Sequence, residues 1–234
     1  MKKDNIIIRL IVLVTLLILG NNAFAEPITV PPGLKPGDQY RLVFVTSTTT
    51  IALDVSIDIY NDFVATVAAS VPKLDALGVQ WKAIASTEEM SAIDNTGTYG
   101  TGVPVYNLAG QLAAINYTYL WGIGPSEPYL SNPIKYDETG AENGSSIVWT
   151  GTNVNGRPDS GLWLGGYSGT AFYGLSDSVE YRWIANNVRL ITDSASLYAL
   201  SGVLEVPAKS PVPASILLLL SGYAGRVDYL DLES

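Results

Sequence analysis

The run Tyr40-Arg41-Leu42-Val43-Phe44-Val45-Thr46 alternates β-branched and aromatic side chains behind a Gly37-Asp38-Gln39 lead, and it predicts a first strand over 40–46. A polar turn occupies 47–50. The period then changes. Within 53–71, Ile57, Tyr60, Val64 and Val67 recur at intervals of three and four, while Asp54, Asp58 and Asp62 stand one turn apart. That spacing predicts an amphipathic helix, with its acids towards the N-terminal half where the dipole favours them, and with Pro72 ending it. The three aspartates read as a solvated face, because carboxylates in one row cannot surround a cation.

Alternation returns over 77–85, through Val79, Trp81, Ala83 and Ala85, and predicts a second strand. Ser86-Thr87-Glu88-Glu89 has the form of a helix start, with a hydroxyl cap and acids in the first turn. A loop covers 94–102. The piece 103–108 is extended, and Pro104 places it at an edge or in a turn. Residues 109–121 fit either a short strand and turn or part of a helix. Pro125, Pro128 and Pro133 make 122–133 irregular. Short strands are expected at 134–136, 146–149 and 182–184, and a last, clearly alternating one at 197–206. The first and last strands match in length and alternation, so the two ends of the domain are expected to pair in one sheet, with the helices inserted after the first strand. That is an α+β module with two helices, spanning 26–206 without an internal linker.

Between Trp149 and Gly166 the pattern breaks down altogether. The run is so rich in Gly, Asn, Asp and Pro that it can be neither helix nor regular strand. Two indoles, Trp149 and Trp163, bracket it as anchors. Asn153, Asn155 and Asp159 set oxygen atoms around Gly156, faintly like a calcium loop, but no acid fills the early positions and no glutamate closes it. The same residues suit tight turns, so no metal and no cofactor is expected. Rings beside Asn and Asp suit stacking on sugar faces, which makes Trp149, Asn153, Asn155, Asp159, Trp163 and Tyr167 the candidate ligand-binding set. Packing of a loop-rich domain is the competing use for such rings.

The two ends carry different information. Lys2 and Lys3 precede an apolar run over 6–20, and Ala23 and Ala25 stand where a signal peptidase reads, so 1–25 is expected to be a secretory signal peptide cleaved before Glu26. The apolar run is rather short for the alternative, an uncleaved anchor. At the other end, 207–213 is a proline-punctuated linker closing on Pro211-Val212-Pro213, followed by a short apolar run in 214–224. This tail, 214–234 with its preceding motif, resembles the PEP-CTERM sorting signal of Gram-negative bacteria, which an exosortase processes. It is a degenerate form. Val212 replaces the usual glutamate, and after Arg226 come Asp228, Asp231 and Glu233 where basic residues are customary. A disordered apolar tail is the alternative.

Charge and missing residue types narrow the function. The chain of 234 residues has a formal charge of −9; without 1–25, which hold Lys2, Lys3, Arg9 and Asp4, 10 basic and 21 acidic residues leave −11. An acidic surface without basic clusters argues against nucleic acid as a partner. There is no Cys and no His, which removes disulfides, thiol chemistry and imidazole bases or ligands. Adjacent acids such as Glu88 with Glu89, or Asp137 with Glu138, do not face each other across a scissile bond.

Several short motifs occur in order: Trp81-Lys82-Ala83-Ile84-Ala85-Ser86-Thr87, Val103 to Gln111, Leu120-Trp121-Gly122, Trp149-Thr150-Gly151-Thr152 and Arg182-Trp183-Ile184. Together they resemble the endostatin-like branch of the C-type lectin-like fold and related bacterial modules. The resemblance covers about half the chain and implies a C-type lectin-like α+β domain. The cysteines and calcium-lectin motifs of that fold are absent, so calcium-mediated sugar binding does not carry over. The expected protein is exported, acidic and non-catalytic, a binding or extracellular-matrix component at the outer surface. Its expected partners are signal peptidase and exosortase during processing, with transient membrane contact through both termini, and an extracellular polysaccharide is the candidate ligand. A hydrolase acting on such a polysaccharide is the alternative.

Overall fold

A computed structural model of the chain describes residues 27–123 and 130–208. Ala23, Ala25, Pro211, Val212 and Pro213, on which the processing expectations fall, lie outside the described residues, as do both terminal segments that carry them. Among the described residues no helix is long and apolar enough to cross a membrane.

The organising strand is β1, Gln39–Val45, buried at every position after the first. It pairs in parallel with β3 (Val105–Asn107) and antiparallel with β8 (Ser196–Ser201), in the register Val43 to Leu200. The final strand β9 (Leu204–Glu205) also pairs with β1, through Tyr40 and Leu204, so the two ends of the domain do share one sheet. Between β8 and β9 the Ser201 hydroxyl accepts the Leu42 N–H at 2.8 Å, bridging the shift in register. Beyond β3 lies β4 (Leu112–Ala114). The far edge of β8 is divided. β2 (Trp81–Ala83) takes one part antiparallel, and β5 (Ile147–Trp149) takes the other in parallel. β6 (Thr170–Leu175) and β7 (Asn187–Leu190) continue from β5, giving a mixed sheet of nine strands among the described residues. The architecture is α+β, mostly sheet with few helices.

Both faces of β1 are covered because its two side-chain rows serve different cores. Tyr40, Leu42 and Phe44 face a cluster holding Tyr60, Val64, Trp81, Trp149 and Leu197. Val43 and Val45 face a second one with Ile84, Ile93, Trp121, Trp183 and Tyr198. Arg41 lies in the second row. Its buried guanidinium donates to the Thr96, Gly97 and Ser201 carbonyls, which ties a helix end to β8. Two aromatic-rich cores of this kind stand in for the cross-links a cysteine-free chain lacks.

Helix α1, Ile57–Ala69, starts four residues later than its pattern allows. The upstream segment is engaged elsewhere: Ala52 N–H donates to Ile191 O, and Ala52 O accepts from Gly165 N–H. Ser56 caps the helix through Asp58 N–H, so Asp58 and Asp62 ride on it while Asp54 does not. Pro72 opens a separate short turn of helix, α2 (Pro72–Asp75), a position where its missing N–H is harmless.

The helix expected from Ser86 begins later, as α3 (Ala92–Thr96), with Ser91 as its cap. Ser86 is held back because its N–H and carbonyl pair with Thr150 and Leu164; its hydroxyl still serves the helix by accepting Ala92 N–H at 2.8 Å. Residues 109–121 hold both alternatives, β4 and then α4 (Tyr117–Trp121), whose first N–H groups are capped by Asn116. The expected count of two helices is thus corrected to four among the described residues, only α1 exceeding five residues. The expected strand at 182–184 is instead a 3-10 turn, Tyr181–Trp183. β3 lies between β1 and β4 rather than at an edge, which Pro104 allows because it stands just outside the strand and offers only its carbonyl to Arg41 N–H.

Two buried phenols report on this packing. Tyr60 donates to Asp54 O at 2.9 Å and Tyr198 to Trp183 O at 3.0 Å, and burial raises both above the ordinary tyrosine value of 10.0. Well below that pH neither state of the protein ionises them. Above it the unfolded phenols lose protons that the folded ones keep, so stability falls as pH rises, by up to about 1.4 kcal/mol per pH unit per group. An absorbance titration is therefore expected to show at least these two tyrosines ionising only as far-UV circular dichroism is lost. Full ionisation near pH 10 with the fold intact would contradict this packing.

Candidate functional site

The Trp149-Thr150-Gly151-Thr152 stretch is the knot beneath the irregular region. Trp149 is 0% exposed, and its indole N–H donates to Thr50 O at 3.1 Å. The Thr150 hydroxyl donates to Ile184 O at 2.6 Å, its carbonyl accepts Ser86 N–H at 2.8 Å, and Gly151 N–H donates to Phe172 O at 2.9 Å. Gly151 has a φ of +58°, and a Cβ there would lie 2.6 Å from both Ser86 O and Leu164 N. Only glycine fits such a crossing. The Ala85-Ser86-Thr87, Trp-Thr-Gly-Thr and Arg182-Trp183-Ile184 motifs, far apart in sequence, therefore meet in one buried hydrogen-bonded junction.

This corrects the place of Trp149 in the candidate set. Its ring is an anchor in the first core, out of reach of any ligand at the surface. Asn153 serves its own loop. Its side-chain oxygen accepts from Asn155 N–H at 3.0 Å and Arg157 N–H at 3.3 Å, closing its own turn. The turn leans inward as well: Gly156 O accepts Ile93 N–H, and a Cβ on Gly156 would lie 2.5 Å from the Trp121 ring. Asn155 is exposed at the tip of this turn.

The other half of the loop does present side chains. Leu164 N–H donates to Ser86 O and Gly165 N–H to Ala52 O, which pins the backbone from below. Trp163, half-buried, meets Tyr167 edge to face with ring centroids 5.6 Å apart. Tyr167 is 79% exposed and stands over Gly161, where a Cβ would come within 2.8 Å of the phenol ring. The Ser168 hydroxyl bridges Gly161 O and Thr170 O, fixing the turn that carries Tyr167. Asp159 and Ser160, both exposed, begin the same turn, with Asp159 accepting Ser160 N–H and its carbonyl accepting Leu162 N–H. Of the six candidates the structure thus gathers Asp159, Trp163 and Tyr167 into one surface segment. It separates Asn155, Asn153 and Trp149 into turn and core.

Elsewhere Trp121 is buried, Tyr119 is exposed, and Tyr117 pairs with the exposed ring of Tyr99. Asp137 accepts from Thr139 N–H, the Thr139 hydroxyl and Ala141 N–H, whereas Glu138 turns to Ser47, so these neighbours belong to different networks. Among the described residues no group of three or more acidic side chains converges as a metal site would. Two clefts of about 600 and 620 Å³ flank α1, and neither is lined by residues of the 149–168 loop. Compared with models of known protein families and with curated proteins, the chain matches none.

Proposed function

We propose that this chain is an exported, non-catalytic binding or extracellular-matrix protein whose contact surface is the Trp163–Tyr167 aromatic pair, with an extracellular carbohydrate polymer as the ligand class. The observation that carries the reading is an exposed ring, Tyr167, braced by a second ring and by a serine-pinned turn instead of folding into a core. A braced ring loses little conformational freedom on binding, and flat apolar faces flanked by Asp159 and Ser160 suit the CH faces and hydroxyls of a sugar. A non-catalytic role is supported by the loop's chemistry: Asp159 is its single carboxylate, without a second acid in the loop to work against.

The same proposal takes the fold as C-type lectin-like, of the endostatin-like branch. The paired terminal strands and the junction around Trp149-Thr150-Gly151-Thr152 support that reading. Export by the 1–25 signal, and delivery to the outer surface through Pro211-Val212-Pro213 and the tail, rest on the sequence motifs alone.

The test is a glycan and extracellular-polymer array probed with the mature protein, with and without calcium. Saturable binding is expected in both conditions. Trp163→Ala and Tyr167→Ala should each weaken it roughly tenfold, as loss of about 1–1.5 kcal/mol of ring contact implies, with the melting temperature little changed. Binding that survives both substitutions would move the contact surface elsewhere, and release of reducing ends from a bound polymer would favour the hydrolase.

A further inference from the structure

The cleft of about 620 Å³ lies between α1 and the segment following β1, and its lining is sharply divided in character. Ile59, Phe63 and Val67 stand at four-residue intervals on α1 and form one apolar wall. Thr48, Thr50 and Glu138 line the cleft from the other elements, and Asp62, Thr66 and Ser70 join it from the helix and its end. Its size and mostly apolar lining with a few placed polar groups are those of a small-molecule site.

Glu138 is the informative residue. It is 5% exposed, and its two carboxylate oxygens are held by the N–H and the hydroxyl of Ser47. Among the described residues neither Glu138 nor Asp62 has an ion-pair partner. A carboxylate is rarely so buried without a cation, and two neutral donors offset only part of the lost hydration. Fixed beside an apolar wall and an aromatic ring, it is a preorganised acceptor for positive charge, and the acidic surface adds long-range attraction for cations.

We propose that this cleft binds a small organic ammonium, with its cationic head against Glu138 and Asp62 and its apolar body along Ile59, Phe63 and Val67. This site is independent of the Trp163–Tyr167 surface.

The test is calorimetric titration of the full chain at low salt with phenethylammonium, and with phenethyl alcohol as the neutral analogue of the same shape. The ammonium should bind saturably, and the alcohol at least roughly tenfold more weakly. Asp62→Asn, at an exposed helix position, and Phe63→Ala should each weaken the ammonium several-fold. Glu138→Gln, which keeps an oxygen for Ser47, should weaken it most, and Trp163→Ala should leave it unchanged. Absence of ammonium binding, equal binding of the alcohol, or affinity unchanged by both Asp62→Asn and Glu138→Gln would overturn the proposal. Because Asp62→Asn does not touch the Ser47 contacts, it keeps the test decisive if Glu138→Gln fails to fold.

Discussion

Replacing Trp149 with alanine is expected to destabilise the domain by about 3–5 kcal/mol, the usual effect of emptying a fully buried indole site. Three losses combine. The first core loses a fully buried ring, Thr50 O loses the indole N–H, and Leu197, its neighbour across the parallel pairing and in the same core, loses a partner. In a domain of this size the melting temperature should fall by roughly 6–20 °C. Thermal melts followed by circular dichroism provide the check, with Trp163→Ala as the internal comparison. Trp163 is half-buried on the loop and should cost far less. A Trp149→Ala protein melting with the wild type would mean that the junction does not depend on its anchor, and the separation of scaffold from surface argued above would fail.

Alanine at position 174 is expected to be comparably damaging for the opposite reason, too much volume rather than too little. Gly174 lies in β6 opposite Val148, where the 3-10 turn crosses the strand. A Cβ there would sit 1.8 Å from Trp183 O and 2.5 Å from its carbonyl carbon. Both are backbone atoms, so no rotamer change relieves the clash. The turn would have to lift, taking Trp183 from its contacts with Trp121 and Tyr198 and loosening the Thr150 bond to Ile184 O. About 3 kcal/mol or more is the expected loss, at or above the top of the range for overpacked cores. The urea midpoint of Gly174→Ala measures it, and a midpoint equal to wild type would show that β6 and the turn can part without penalty.

The contrast between these two sites and the loop shows what kinds of information a sequence carries. The strand at 40–46 and the helix face at Ile57, Tyr60, Val64 and Val67 were legible because a buried face leaves a period. Strand β6 was not. Its Thr-Ala-Phe-Tyr-Gly-Leu run is interrupted by the glycine that the crossing turn demands, so a long-range contact erased the local signal. β7 alternates, with Val188 and Leu190 on one face, but over only four residues of an exposed edge, too short a run for its period to stand out. The start at Ser86 was misplaced for a related reason: its hydroxyl does serve the start of a helix, α3, but its own backbone is committed to Thr150 and Leu164, more than sixty residues away.

Within the candidate site the sequence supplied residue types and no geometry. Trp149 and Trp163 look alike as letters in one glycine-rich run, yet one is a core anchor and the other half of a surface pair. Asn153 and Asn155 are equally similar, and only the first closes a turn with its side chain. Glu138 could be discounted as part of an adjacent pair, but nothing local indicated that it lines a cleft with Asp62, a residue on another element.

By itself, then, the sequence determined what depends on neighbours along the chain: the main strand and helix periods, the irregular loop, the absence of Cys and His, the acidic charge, and the motifs at both ends. It also implied that the terminal strands pair, because two complementary alternating runs each need a partner. The tertiary structure alone decided which rings are buried, which asparagine oxygen closes a turn, which glycines are crossings and, among the described residues, which carboxylates lack a counterion. Those properties depend on atoms brought together from distant segments, and no local pattern encodes them.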